Sequence, residues 1–117
     1  MILSNRDIVN VERYLERCVK SYDIPYLNSF SITVTGEYCS DKKYLRVSLR
    51  YDDLIRGRDI IQPRMKEVIK EIFGLDNIKL ERCYEACSVN EENLYEILYS
   101  VSDEKFKMFC VLGRISQ

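Results

Sequence analysis

Near the start of the chain, apolar residues recur every three or four positions. Ile8, Val11, Leu15, Cys18, Val19 and Tyr22 form one stripe, with Arg6, Arg13, Glu16, Arg17 and Lys20 off it. That period predicts an amphipathic helix over residues 4–22. Ser4, with Asp7 three residues on, makes an acidic variant of the capping box that opens such a helix. Residues 23–25 close it, because the residue before Pro25 avoids the α region.

From Ser29 the period drops to two. Phe30, Ile32 and Val34 alternate with Ser29, Ser31, Thr33 and Thr35, and residues 36–42 supply a turn. Leu45, Val47, Leu49 and Tyr51 then alternate with Tyr44, Arg46, Ser48 and Arg50. The two segments predict an antiparallel hairpin with one apolar and one polar face. Residues 52–58 read as a charged loop, and Asp59 as the cap of a second helix that turns Ile61, Met65, Val68, Ile69, Ile72 and Phe73 inward. Pro63 fits the first turn of that helix, where its missing N–H costs little. Gly74 fits a left-handed end, with Leu75 making the accompanying apolar contact.

Residues 77–84 alternate Ile78 and Leu80 with Lys79 and Glu81, which predicts a third strand, and 85–93 read as a loop. The remainder predicts a hairpin, 94–101 and 106–115, around the polar tetrad Ser102, Asp103, Glu104 and Lys105. Both of its strands are apolar on two faces. Tyr95, Ile97, Tyr99 and Val101 point one way and Leu94 and Leu98 the other, while Phe106, Met108, Cys110 and Leu112 back onto Phe109 and Val111. Such strands need cover on both sides. With two helices available, the second cover is expected from another copy of the chain, through Leu94, Leu98, Phe109 and Val111. The expected fold is a single α+β domain over residues 1–117. It is a two-layer sandwich, a mainly antiparallel sheet with two helices on one face, in the order α-β-β-α-β-β-β.

Composition narrows the chemistry. At 117 residues and 46% hydrophobic content the chain can bury a core without a metal or disulfide framework. It has no His, which removes Ser-His-Asp and Cys-His constellations and every imidazole base, leaving Cys, Lys, Tyr and carboxylates as reactive groups. No apolar run reaches the roughly 18 residues needed to cross a bilayer. Arg6 and Asp7 also stand where a signal peptide has its apolar core, so the expectation is a cytoplasmic protein with no membrane partner. Five cysteines (Cys18, Cys39, Cys83, Cys87, Cys110) cannot all pair within one chain and read as reduced thiols. Cys83 and Cys87 on an extended strand lie ~13 Å apart, beyond disulfide reach. No metal and no cofactor is assigned.

The near-neutral total hides segregated charge. Residues 42–70 carry nine basic against four acidic side chains, a net +5, and residues 71–104 carry two against nine, a net −7. Tyr44, Arg46 and Arg50 share one strand face, and Arg56 and Arg58 follow it. Arg bonds phosphate through two N–H groups and Tyr stacks on a base, so these five are candidates for binding nucleic acid or another anion. The plainer reading is a solvated sheet face. A metal-dependent nuclease would need one of Asp52 and Asp53, which as strand neighbours point to opposite faces, with Asp59 and Glu81 or Glu85 around Mg2+. Asp59 is more simply a helix cap, and no Gly-rich phosphate loop is present, so no catalytic residue is assigned. Segregated charge and under-covered strands together point to a small non-catalytic interaction protein. It would be homodimeric through the last hairpin and bind another protein, a style common among virus-encoded and mobile-element factors. Sequence-tolerant nucleic-acid binding is the alternative.

Overall fold

Ser4 opens helix α1 (Asn5–Lys20) as its spacing predicts. Its Oγ accepts the Asp7 N–H at 3.1 Å and donates to the Asp7 carboxylate at 3.0 Å. The computed structural model describes residues 4–36 and 42–115, the side chains of 87–89 excepted; the expected 36–42 turn and Cys39 lie largely or wholly outside the described residues. Val11, Leu15 and Val19 are buried along α1. Strands β1 (Ser29–Gly36) and β2 (Lys43–Tyr51) form the expected antiparallel pair, in register from Ser29 opposite Arg50 to Gly36 opposite Lys43.

The second helical run starts earlier than its apolar pattern suggests. Asp53, and not Asp59, is the cap: its Oδ1 accepts the Ile55 and Arg56 N–H groups at 3.0 and 3.1 Å. The expected loop over 52–58 is therefore largely helical. Helix α2 (Leu54–Arg56), a π-helical turn (Gly57–Ile61) and helix α3 (Gln62–Phe73) follow without a break in helical backbone. Pro63 consequently sits inside the run. A proline ring there clashes with the carbonyl four residues back, and the wider π turn, closed by Gln62 N–H to Gly57 O, relieves the clash. Gly74 ends α3 at φ +85° and ψ 145°, a positive φ that glycine tolerates but not the left-handed helical turn expected, and Leu75 is 75% exposed.

Two segments differ from the sequence reading. Strand β3 (Ile78–Val89) runs through most of the expected 85–93 loop and turns at Asn90 and Glu91 into β4 (Glu92–Val101). Both turn residues have positive φ, 55° and 68°, as a two-residue hairpin requires. The second segment, expected as the last strand, is helix α4 (Asp103–Ile115). The Ser102 hydroxyl accepts the Lys105 N–H, its carbonyl accepts the Phe106 N–H, and Asp103 and Glu104 meet the positive end of the helix dipole. Phe106, Phe109, Cys110 and Gly113 are buried at helical spacing.

The order is thus α-β-β-α-β-β-α, an α+β fold with a four-stranded antiparallel sheet and three longer helices. Strands lie in the order β1-β2-β4-β3, which sets the central strand of each α-β-β half beside that of the other, Val47 opposite Ile97. Ile32, Val34, Leu45, Val47, Leu49, Tyr51, Tyr95, Ile97, Tyr99 and Val101 share one sheet face. They form a single core with the stripes of α1, α3 and α4. Phe109 locks the three helices together, edge-on to Phe73 at 4.8 Å and beside Tyr14 at 5.8 Å. Asp7 pairs with Arg114 at 2.9 Å across α1 and α4. Among the described residues no helix is long and apolar enough to cross a membrane.

Tyr51 ties the π turn to the sheet. It is fully buried, its hydroxyl accepts from Gln62 Nε2 at 2.8 Å, and its ring covers Gly57 so closely that a Cβ there would fall 2.0 Å from Cε2. Gly57→Ala should therefore destabilise the protein by about 1–3 kcal/mol, the range for overpacking a core. Gly36→Ala meets only the flexible Lys43 side chain at 3.4 Å and should stay within about 0.5 kcal/mol of the parent. Urea unfolding midpoints of the two variants check this.

Candidate functional site

The buried stripes of α1, α3 and α4 form one core with one face of the sheet, and pairing register fixes the layout of the opposite, open face. Residues directly opposite one another across a ladder share a face. Row by row, from β1 to β3, the open face therefore carries Ser29, Arg50, Leu94 and Ala86; then Ser31, Ser48, Glu96 and Tyr84. Thr33, Arg46, Leu98 and Arg82 follow, and last Thr35, Tyr44, Ser100 and Lys79. None of these side chains belongs to the core.

Glu96 organises the centre. It accepts hydrogen bonds from the Tyr84 hydroxyl and, at 3.4 Å, from Ser48 Oγ, and it stands 3.9 Å from Arg46 Nε. The hydrogen bond from Tyr84, with some desolvation and the carboxylate charge, holds the Tyr84 phenol above its ordinary pKa. Two rows along, Glu81, which the register shift in β3 leaves without a partner in the ladder, accepts from Ser100 at 2.8 Å. Leu94 and Leu98 lie half-buried between these polar groups on β4. The two leucines are thus separated by the hydrogen-bonded Glu96, with Arg50 beside Leu94 and Arg46 and Arg82 beside Leu98.

The five sequence candidates for anion binding are divided. Tyr44, Arg46 and Arg50 lie together on the open face. Arg56 is at the end of α2, its guanidinium 4.3 Å over the Tyr26 ring and 3.9 Å from Asp53. Arg58 makes a two-pronged pair with Glu85 at 2.7 and 2.8 Å. Glu85 sits opposite the inward residue Tyr95, so that pair is on the helix side of the sheet. Arg58 holds the Glu85 carboxyl below the usual range.

The four expected dimer residues are divided as well. Leu94 and Leu98 are on the open face, Phe109 is 3% exposed in the core of its own chain, and Val111 is 53% exposed on the outside of α4. The carboxylates of the nuclease reading also point to separate partners: Asp52 to Asn28, Glu81 to Ser100, Glu85 to Arg58. No group of three or more metal-ligating residues converges among the described residues. Cys18, Cys83 and Cys110 are free thiols. Cys83 is exposed beside Lys66, its Sγ 3.8 Å from Nζ, and burial pushes the Cys110 thiol up.

Glu96 and Tyr84, which set the character of the face, escaped the sequence reading because nothing in either residue's spacing says that β4 lies between β2 and β3. No protein-family model, curated protein or solved structure matches the chain.

Glu96→Gln tests the centre of the face. Loss of the carboxylate should bring the Tyr84 ionisation down toward the ordinary tyrosine value near 10. An ultraviolet pH titration reads this, with Tyr84→Phe identifying the step. A phenol raised by folding stabilises the fold below pH 10 and loses that contribution as pH rises through its folded pKa. The parent should therefore show more alkaline destabilisation above pH 10 than Glu96→Gln.

Proposed function

We propose that this chain is a non-catalytic interaction protein that binds a protein partner through the open face of its sheet. The observation that carries the reading is the frame around Leu94 and Leu98. These two half-buried leucines lie on the central strand β4 either side of Glu96, which Tyr84 and Ser48 hold by hydrogen bonds, so a partner meets apolar and polar groups already in place. Arg56 and Arg58 are engaged elsewhere, and on the face itself Arg46 stands beside Glu96 while Arg50, Arg82 and Lys79 keep it basic, which suits a partner that brings acidic groups around an apolar contact.

Self-association belongs to the same proposal, with a different seat from the expected hairpin. Met108, Val111 and Ile115 recur on the outer side of α4 at 41, 53 and 74% exposure, an apolar stripe of the kind that pairs helices between copies. Light scattering should show dimers at micromolar concentration. Val111→Glu should give folded monomers, whereas Phe109→Glu buries a charge in the core and should abolish folding. Leu98→Glu should keep the dimer and lose the partner in an affinity capture. Capture unaffected by Leu98→Glu and Leu94→Glu would exclude the sheet face.

A further inference from the structure

We propose that the outer face of α1 is a binding site for the phosphate backbone of nucleic acid, separate from the sheet face. Arg6, Arg13, Arg17 and Lys20 are all exposed and recur at spacings of seven, four and three. At 3.6 residues per turn they fall within about 60° of arc, in a nearly straight row ~21 Å long, directly opposite the buried Val11, Leu15 and Val19. The row lines a groove of about 950 Å³ completed by Asn5, Asn10 and Gly113.

The balance of charge in this groove is unlike an ordinary solvated helix face, where acids and bases intersperse. Glu16 is the single acid among its lining residues, and it stands at the margin of the row. The other two acids of α1 are turned away: Asp7 is held by Arg114, and Glu12 accepts the Val34 N–H at 2.9 Å. Three of the four cations are Arg, whose planar fork matches phosphate oxygens in pairs. Val9 is the one large apolar side chain in the lining, and guanidinium groups are what position a nucleic-acid backbone. The row spans about six base pairs of duplex at 3.4 Å each. No base-reading constellation accompanies it, so binding is sequence-tolerant.

The experiment is fluorescence anisotropy of a labelled duplex, and of a single strand, of about 20 nucleotides against the full chain at about 50 and about 200 mM salt. Four phosphate contacts predict that affinity falls roughly 150-fold for duplex, or roughly 50-fold for single strand, over that range. Arg13→Gln with Lys20→Gln removes two contacts and should lower the logarithmic salt slope by about two, at an unchanged melting temperature. Neither residue forms an ion pair among the described residues, so the fold does not depend on them. Arg46→Ala with Arg50→Ala should leave binding as it is. No binding at the lower salt, binding unmoved by the α1 pair, loss through the sheet pair instead, or equal displacement by an acidic peptide would each overturn the proposal. None of these results bears on capture of a protein partner by the sheet face.

Discussion

The antiparallel pairing of β2 with β4 is the constraint from which the rest follows. It joins two α-β-β halves through their inner strands, and it fixes parity: with Val47 opposite Ile97, odd-numbered residues of both strands face the helices and even-numbered ones face out. A slip of one residue would exchange those sets and put Arg46, Arg50 and Glu96 into the core. Ten large side chains on the inner face make that slip prohibitive, so the same burial that stabilises the fold also determines which residues the open face presents.

The two edges of the sheet are finished differently. On β1, α1 lies close enough for Glu12 to take the outward Val34 N–H, which blocks strand addition at that point. On β3, residues 80–85 are exposed, with Leu80 and Tyr84 at 43 and 45%. The strand is defended by charge: Lys79, Glu81, Arg82 and Glu85 stand along it. Glu85 in turn anchors Arg58 in the π turn, so the edge strand is fastened to the helical layer by an exposed pair and to β4 by its ladder.

These environments explain what could be read from the sequence. Helix α1, the first hairpin and α3 each have one buried and one wet face, and their periods show it. In β3 residues 80–85 are exposed on both faces, so burial imposes no alternation there, and from residue 85 the strand looks like a loop. In α4 the opposite difficulty holds. Phe106 and 108–112 form a nearly continuous apolar run that satisfies a period of two as readily as 3.6. The deciding signals were Ser102 as a cap, two acids in the first turn and Arg114 in the last. Of the sheet face, Tyr44, Arg46 and Arg50 were legible because they share a strand. Glu96, which stands beside Arg46, was not, because strand order is decided by packing between segments distant in sequence.

Charge segregation has the same origin. The fold takes acids out of circulation at specific places: Asp7 as cap-box partner and Arg114 anchor, Glu12 on the β1 edge, Asp53 as a cap, Glu96 at the centre of the open face. Each carboxylate is placed where an unsatisfied N–H, a hydroxyl or a guanidinium needs an acceptor. Along α1, opposite its buried stripe, what remains on the surface is positive although the whole chain carries −1. Net charge therefore says little about which partner each surface of this protein can meet. The local field does, and it differs from one surface to the next: cationic along α1, partly neutralised on the sheet, apolar on the outside of α4.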